Sequence, residues 1–385
     1  MTLLAQFEVS EKSGFLPEND PLETLGSDFQ NWESVAQNLP KYLVGDSLRK
    51  TVDELKQFPT DKLKSRAEEE RAMLLLSYIG HGYVWGEKKV IDNIPSTLAV
   101  PWHALAKKLG RPPVLSYASY ALHNWKRLDK NRPVALGNIA LIQNFLGGID
   151  EEWFILIHVE IEQLATAAIR ALPLVQDAVA KNDASEANKQ LQNIAKSAAQ
   201  MYDTLVRMTE NCDPYIYYNR VRPYIHGWKN NPALPNGLTY KGVKEYNNQP
   251  QQFRGETGAQ SSIVPCLDAV LGIGHEDGPL KQHLLEMREY MPPKHRDFMA
   301  HIDNGPSVRD LVIKNKNNDQ PLRNIYNECV TTLEKFRALH LKYAASYIQQ
   351  QSQTDSANPN AVGTGGTPFM KYLEKHRGET ARFIV

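Results

Sequence analysis

The segment that most restricts the fold lies downstream of Pro321, where LRNIYNECVTTLEKFRALHLKYAASYI sets apolar residues at helical spacing. Proline suits a first helical turn, because the N–H it lacks would be unpaired there in any case. An inward stripe runs through Cys329, Leu333, Phe336, Tyr343 and Tyr347, in steps of four and three apart from one gap of seven residues. His340 fills that gap. An imidazole therefore points where a leucine is expected.

The rest of the chain agrees with a helical protein. The run 65–83 starts acidic and turns apolar at helical spacing, as the N-terminal end of a helix dipole favours. Further helices are expected at about 115–127, 137–146, 151–172, 183–212 and 368–378. Alternating β-branched runs are nearly absent, so the expected fold class is all-α. A length of 385 residues exceeds what one core usually organises. Gly147-Gly148, just before the plausible N-cap Asp150, marks a boundary between a small domain at 1–148 and a larger helical one at 149–385. Residues 227–260 form a polar stretch too long for an ordinary connection, and are a candidate binding loop. The composition of 350–368, QQSQTDSANPNAVGTGGTP, predicts flexibility.

Composition narrows the partners. Lys plus Arg number 44 and Asp plus Glu also 44, which removes the positive field that nucleic-acid and acidic-membrane binders exploit. No run approaches the roughly 18 apolar residues of a membrane span. Cys212, Cys266 and Cys329 are few, odd in number and far apart, so the reading is of inert thiols in a reducing cytoplasm. A monomer is favoured. GxSxG, GxxxxGK[ST], HExxH and HxxxH are all missing, and the other ten histidines show no metal-binding spacing.

On periodicity alone, a lone histidine on an apolar face is more often a hydrogen-bonded core residue than a ligand. The other reading is axial ligation of a haem iron, which needs only one neutral imidazole in an apolar pocket. Arg337, on nearly the same face, would then meet a haem propionate; otherwise it is a solvated helix charge.

Several segments resemble the indoleamine 2,3-dioxygenase family: PVLSYASYALHNWK (113–126), RPYIHGWKNNPALPNGLTYKGV (222–243), GAQSSIVPCLDAVLGI (258–273), MREYMPPKHRDFM (287–299), RALHLKYAASYI (337–348) and GTGGTPFM (363–370). Together they cover roughly 110–380 in order. The resemblance implies haem b, O2 and L-tryptophan or a related indoleamine, with both oxygen atoms inserted across the indole C2–C3 bond to give N-formylkynurenine. It implies no side chain acting as acid or base. A same-fold haem oxygenase for another indole, or a haem or tryptophan-binding protein with little turnover, are the alternatives.

Carried over by position, His340 matches the proximal haem ligand, Arg337 the propionate partner and Asp268 an acid near the proximal side. Arg222 matches the residue that recognises the substrate carboxylate, with Arg220 as its decoy neighbour. Tyr217 and Tyr218 match an aromatic pair beside the indole, commonly Phe in the family, while Tyr117 and Tyr120 match positions over the ring. The segment 255–262 matches a glycine-rich stretch at the haem edge, giving Gly258 to the substrate and Ala259 to the cofactor. Thr364 matches a residue that closes on the substrate. Two departures stand out: Leu156 occupies the place of a distal serine, and Glu256 that of a small residue. Trp153 and Phe154 supply an aromatic wall, and His158 points away from Leu156.

Overall fold

The computed structural model describes residues 2–354 and 363–385. Helix dominates them, and strand is confined to two-residue pieces: Asn93–Ile94 pairs in parallel with Thr239–Tyr240, and Lys126–Arg127 antiparallel with Ile139–Ala140. The expected all-α class holds. No helix among the described residues is long and apolar enough to cross a membrane.

The helices that position the site are α1 (Arg66–Trp85), α2 (Ile149–Leu164), α3 (Thr166–Ala180), α4 (Ala184–Val206), α5 (Ile263–Leu271), α6 (Pro279–Arg288), α7 (Gln320–Ala344) and α8 (Phe369–Ala381). Their ends follow local chemistry. Ser65 caps α1 by accepting the Glu68 N–H at 3.2 Å, Asp183 caps α4 through Glu186, and Asp319 caps α7 through Leu322 just before Pro321. Helix α4 packs against α2, α3 and α7, and α7 also carries α8.

Buried apolar side chains form two clusters. One gathers around α1 and includes Tyr117, Tyr120, Leu156 and Val159; the other gathers around α4 and α7 and includes Ile157, Tyr217 and Tyr347. The opening arm belongs to the second, through Leu4, Val9 and Phe15. Phe154 packs against both, so α2 runs along their seam.

Four expectations change. The expected helix at 115–127 is reduced to one wide turn, Ala118–Leu122, followed by a strand, and 137–146 is not helical. The Asn124 amide donates to the Gln143 carbonyl at 2.8 Å and accepts the Gln143 N–H at 2.8 Å, drawing the two segments together as a strand pair. Helix 151–172 is instead two helices that meet at Ala165, where the Thr166 hydroxyl donates to the Gln163 carbonyl at 2.7 Å and competes with the backbone pattern. The N-cap of α2 is Gly148, at φ 101°, not Asp150. Asp150 lies inside the first turn and accepts the Asp213 N–H at 2.7 Å.

The middle of the expected flexible segment, 355–362, lies outside the described residues. Its start, Gln350–Thr354, is helical.

Candidate active site

Glycine lets two segments of the polar stretch touch. A Cβ on Gly227 would fall 2.1 Å from the Gly255 nitrogen, and one on Gly255 would fall 2.2 Å from the Ile225 oxygen. That approach sets Arg222–Lys229 against Arg254–Gln260. Gln260 extends the assembly, donating its amide to the Gly255 carbonyl and accepting the Tyr117 N–H, each at 2.9 Å. Residues 363–366 dock on the same place. The Thr364 hydroxyl donates to the Glu256 carbonyl at 2.6 Å, and Arg254 donates to the Gly365 carbonyl while pairing with Glu286 of α6 at 2.7 Å. Gly258 opens the turn Gly258–Gln260, and the Ala259 N–H donates to Thr257 at 3.5 Å.

Aromatic rings wall this region, with Phe154 at their centre. Its ring lies 4.6 Å from Tyr217, 4.9 Å from His158 and 6.4 Å from Tyr120, and His158 in turn meets Tyr117 edge-on at 6.0 Å. Tyr347 joins from beyond the end of α7, 5.7 Å from Tyr217. Two polar groups mark the wall. The Tyr120 hydroxyl has no hydrogen-bond partner among the described residues. The Tyr117 hydroxyl donates to Glu162, as does Ser261.

Arg222 is fully buried, with its guanidinium 5.1 Å over the Tyr218 ring, whereas Arg220 is exposed. Tyr117, Tyr120, Tyr217 and Phe154 thus lie along one seam, joined through Gln260 to the Gly258–Gln260 turn, while Tyr218 lies against Arg222. Trp153 is placed differently: its indole N–H donates to the Arg207 carbonyl at 2.8 Å, and the Arg207 guanidinium covers its ring at 5.3 Å. Leu156 is buried in the first apolar cluster. His158 points away from Leu156 but toward Phe154 and Tyr117, and its Nδ1 donates to the Phe154 carbonyl at 2.7 Å.

His340 differs from a packed core histidine. Solvent reaches its imidazole, and no described residue makes a hydrogen bond to it. Protein nevertheless crowds it: burial above all, with His158 and His376 adding to it, lowers its pKa to about 4. His340 comes three residues after buried Arg337 and four before buried Ala344, so it shares their face of α7 while staying exposed itself, and its lowered pKa leaves the imidazole neutral at pH 7. On the same helix Arg337 is buried, donates to Asp268 at 2.6 Å and to the Thr380 hydroxyl, and keeps Nε without a partner among the described residues. Burial alone would raise the Asp268 carboxyl, but Arg337 and the neighbouring histidines hold it well below the usual carboxylate range. A neutral unbonded imidazole, aromatic walls and an orphaned buried guanidinium N–H fit a haem group.

A helical chain carrying these groups is suited to hold haem. The family model described as indoleamine 2,3-dioxygenase matches residues 3–383. Indoleamine 2,3-dioxygenase 1 of Rattus norvegicus is 37% identical over 397 aligned residues, covering 100% of this chain and 96% of that protein. Indoleamine 2,3-dioxygenase of Saccharomyces cerevisiae is 30% identical, covering 99% and 93%. A protein named myoglobin from Haliotis madaka is 32% identical, covering 98% of each. The chain belongs to the indoleamine 2,3-dioxygenase family and is a haem dioxygenase.

Sequence reasoning missed several groups at the seam. Glu162 is fully buried, and burial pushes its pKa up to about 7. Its signal was available: it follows His158 by one helical turn. Glu256 was noticed only as a departure; it is 3% exposed, and burial pushes it up to about 8. The Arg254–Glu286 pair that holds residue 365 had no sequence signal, because its partners are far apart along the chain.

Proposed function

We propose that this chain binds haem b through His340 and uses it with O2 to open the indole C2–C3 bond of L-tryptophan or a related indoleamine, giving N-formylkynurenine at the entry to kynurenine-type tryptophan breakdown. The observation that carries the reading is the neutral, unbonded imidazole of His340 on the face of α7 that also carries buried Arg337 and Ala344. When bound, haem supplies the O2 activation and redox chemistry that side chains lack.

The protein's own residues bind, orient and exclude water. Arg222 offers a permanently charged planar fork to the substrate carboxylate. Tyr117, Tyr120, Tyr217 and Tyr218, with Phe154, hold the flat ring, so the rate gain attributed to the protein is chiefly proximity. Leu156 gives the seam an apolar group where a hydroxyl is usual, and no side chain is assigned as acid or base. Gly258 and Thr364 border the substrate, Ala259 the haem edge, and Trp153 backs the wall on the α4 side. Asp268 and Arg337 sit beneath on the proximal side. We read two domains, 1–148 and 149–385, with the site at the junction; most buried apolar residues of 16–148 share one cluster, which residues 225–243 join, while the opening arm packs in the other. Three buried unpaired thiols support a reducing cytoplasm as the compartment.

Product identity tests the proposal. Reduced holoprotein given L-tryptophan in oxygenated buffer forms N-formylkynurenine. Consumption of another indole without that product replaces the substrate. A second reading, a haem protein with little turnover, is favoured by the relative named myoglobin. Intact haem absorption with no indole consumed decides for it.

A further inference from the structure

We propose that Asp268, His275 and His376 form a binding site for one divalent transition-metal ion of the zinc class, separate from the imidazole of His340. The three side chains come from α5, the loop after it and α8. His275 Nε2 lies 3.1 Å from His376 Nε2 and 3.2 Å from Asp268 Oδ2, and His376 Nε2 lies 3.8 Å from the same oxygen. Ligand atoms bound tetrahedrally to zinc at about 2.0–2.1 Å are about 3.3 Å apart, so the triangle is close to one face of such a shell.

The tautomer of His275 is fixed from outside. Its Nδ1 lies 2.7 Å from Glu379 Oε2, and a carboxylate accepts there, so Nδ1 carries the proton and Nε2 turns its lone pair inward. A carboxylate backing a histidine is the usual outer support of a metal ligand. A second proton on His275 Nε2 would be shared between Asp268 Oδ2 and His376 Nε2, in line with neither, whereas a metal ion in its place would meet all three ligand atoms at once. Asp268 Oδ1, in a residue 7% exposed, has no hydrogen-bond partner among the described residues.

Surrounding charge limits the affinity. Asp268 and Glu379 are already offset by Arg337 at 2.6 Å and Lys375 at 3.4 Å. The site is therefore weaker than a structural zinc centre. Two imidazoles and one carboxylate favour Zn2+, Co2+ or Ni2+ over the oxygen-seeking Mg2+ and Ca2+. A bound ion would pin α8, which also supplies Thr380 to Arg337, against α5.

The test is calorimetric titration of chelator-washed holoprotein with zinc chloride, with magnesium chloride as control and thermal melts in parallel. The wild type takes up one equivalent of zinc, no magnesium, and melts higher with zinc present. His376→Ala binds at least about tenfold more weakly and loses the zinc-dependent rise. Should that variant fail to fold, Glu379→Gln gives a weakening of several fold, since it only orients His275. No zinc uptake by the wild type, or unchanged affinity in the variants, overturns the proposal and leaves a proton on His275 as the cation of the cluster.

Discussion

The Tyr117 hydroxyl donates to Glu162 at 2.9 Å, onto the same carboxylate oxygen that Ser261 reaches at 2.8 Å, and the second oxygen has no partner among the described residues. This bond fixes the tyrosine ring edge-on to His158 in the wall of the seam. Tyr117→Phe removes one of the two donors and leaves a buried acceptor less satisfied. The expected loss is about 1 kcal/mol, or roughly 2 °C in the melting midpoint for a chain of this size. Since the hydroxyl places the ring and does not react, kcat changes little. A collapse of kcat with an unchanged midpoint would assign it to the chemistry instead.

His340→Ala tests the cofactor assignment directly. The side chain makes no hydrogen bond to any described residue, so its removal breaks none within the protein. The far-ultraviolet circular dichroism should keep its helical shape while the Soret band is lost. A retained Soret band would move the axial ligand elsewhere, with His158 the first residue to examine.

Arg222 and its neighbour Arg220 separate by environment: one buried over Tyr218, the other exposed. Arg222→Lys keeps the charge but not the planar fork. With L-tryptophan, KM is expected to rise about tenfold, the difference between paired and single charge-assisted bonds. With tryptamine, which has no carboxylate, KM stays near the wild-type value. A rise shared by both compounds would place the effect in packing against Tyr218.

What the sequence made legible was local. Pro321 and the apolar stripe through Leu333 predicted α7, and the stripe exposed His340 as its irregular member. What it hid was distant. His275 and His376 show no metal spacing because 101 residues separate them, yet their Nε2 atoms lie 3.1 Å apart. Residues 115–127 read as a helix from apolar content. The cross-chain bonds from Asn124 to Gln143 and from Gln260 to Tyr117 decide otherwise, and neither leaves a periodic trace. Role assignment at Arg222 needed family register, since periodicity does not distinguish it from Arg220.

Glu256 gives the clearest pH dependence. The residue is 3% exposed, and burial lifts its pKa from 4.5 to about 8. A raised folded-state value means that the folded protein holds the neutral acid more tightly than the unfolded chain does. The resulting stability is full below the unfolded value of about 4.5 and is lost as pH rises through about 8, a change of up to a few kcal/mol. Glu151 and Glu162, both pushed up to about 7 by burial, act in the same direction, so only comparison with a variant isolates Glu256. Glu256→Gln mimics the neutral acid at every pH. Its melting midpoint should match the wild type near pH 5 and exceed it progressively toward pH 8.5, in a series of melts on the holoprotein. Parallel curves would mean that the carboxylate is already ionised at pH 5, held by a cationic partner such as a substrate ammonium or a moved Arg254.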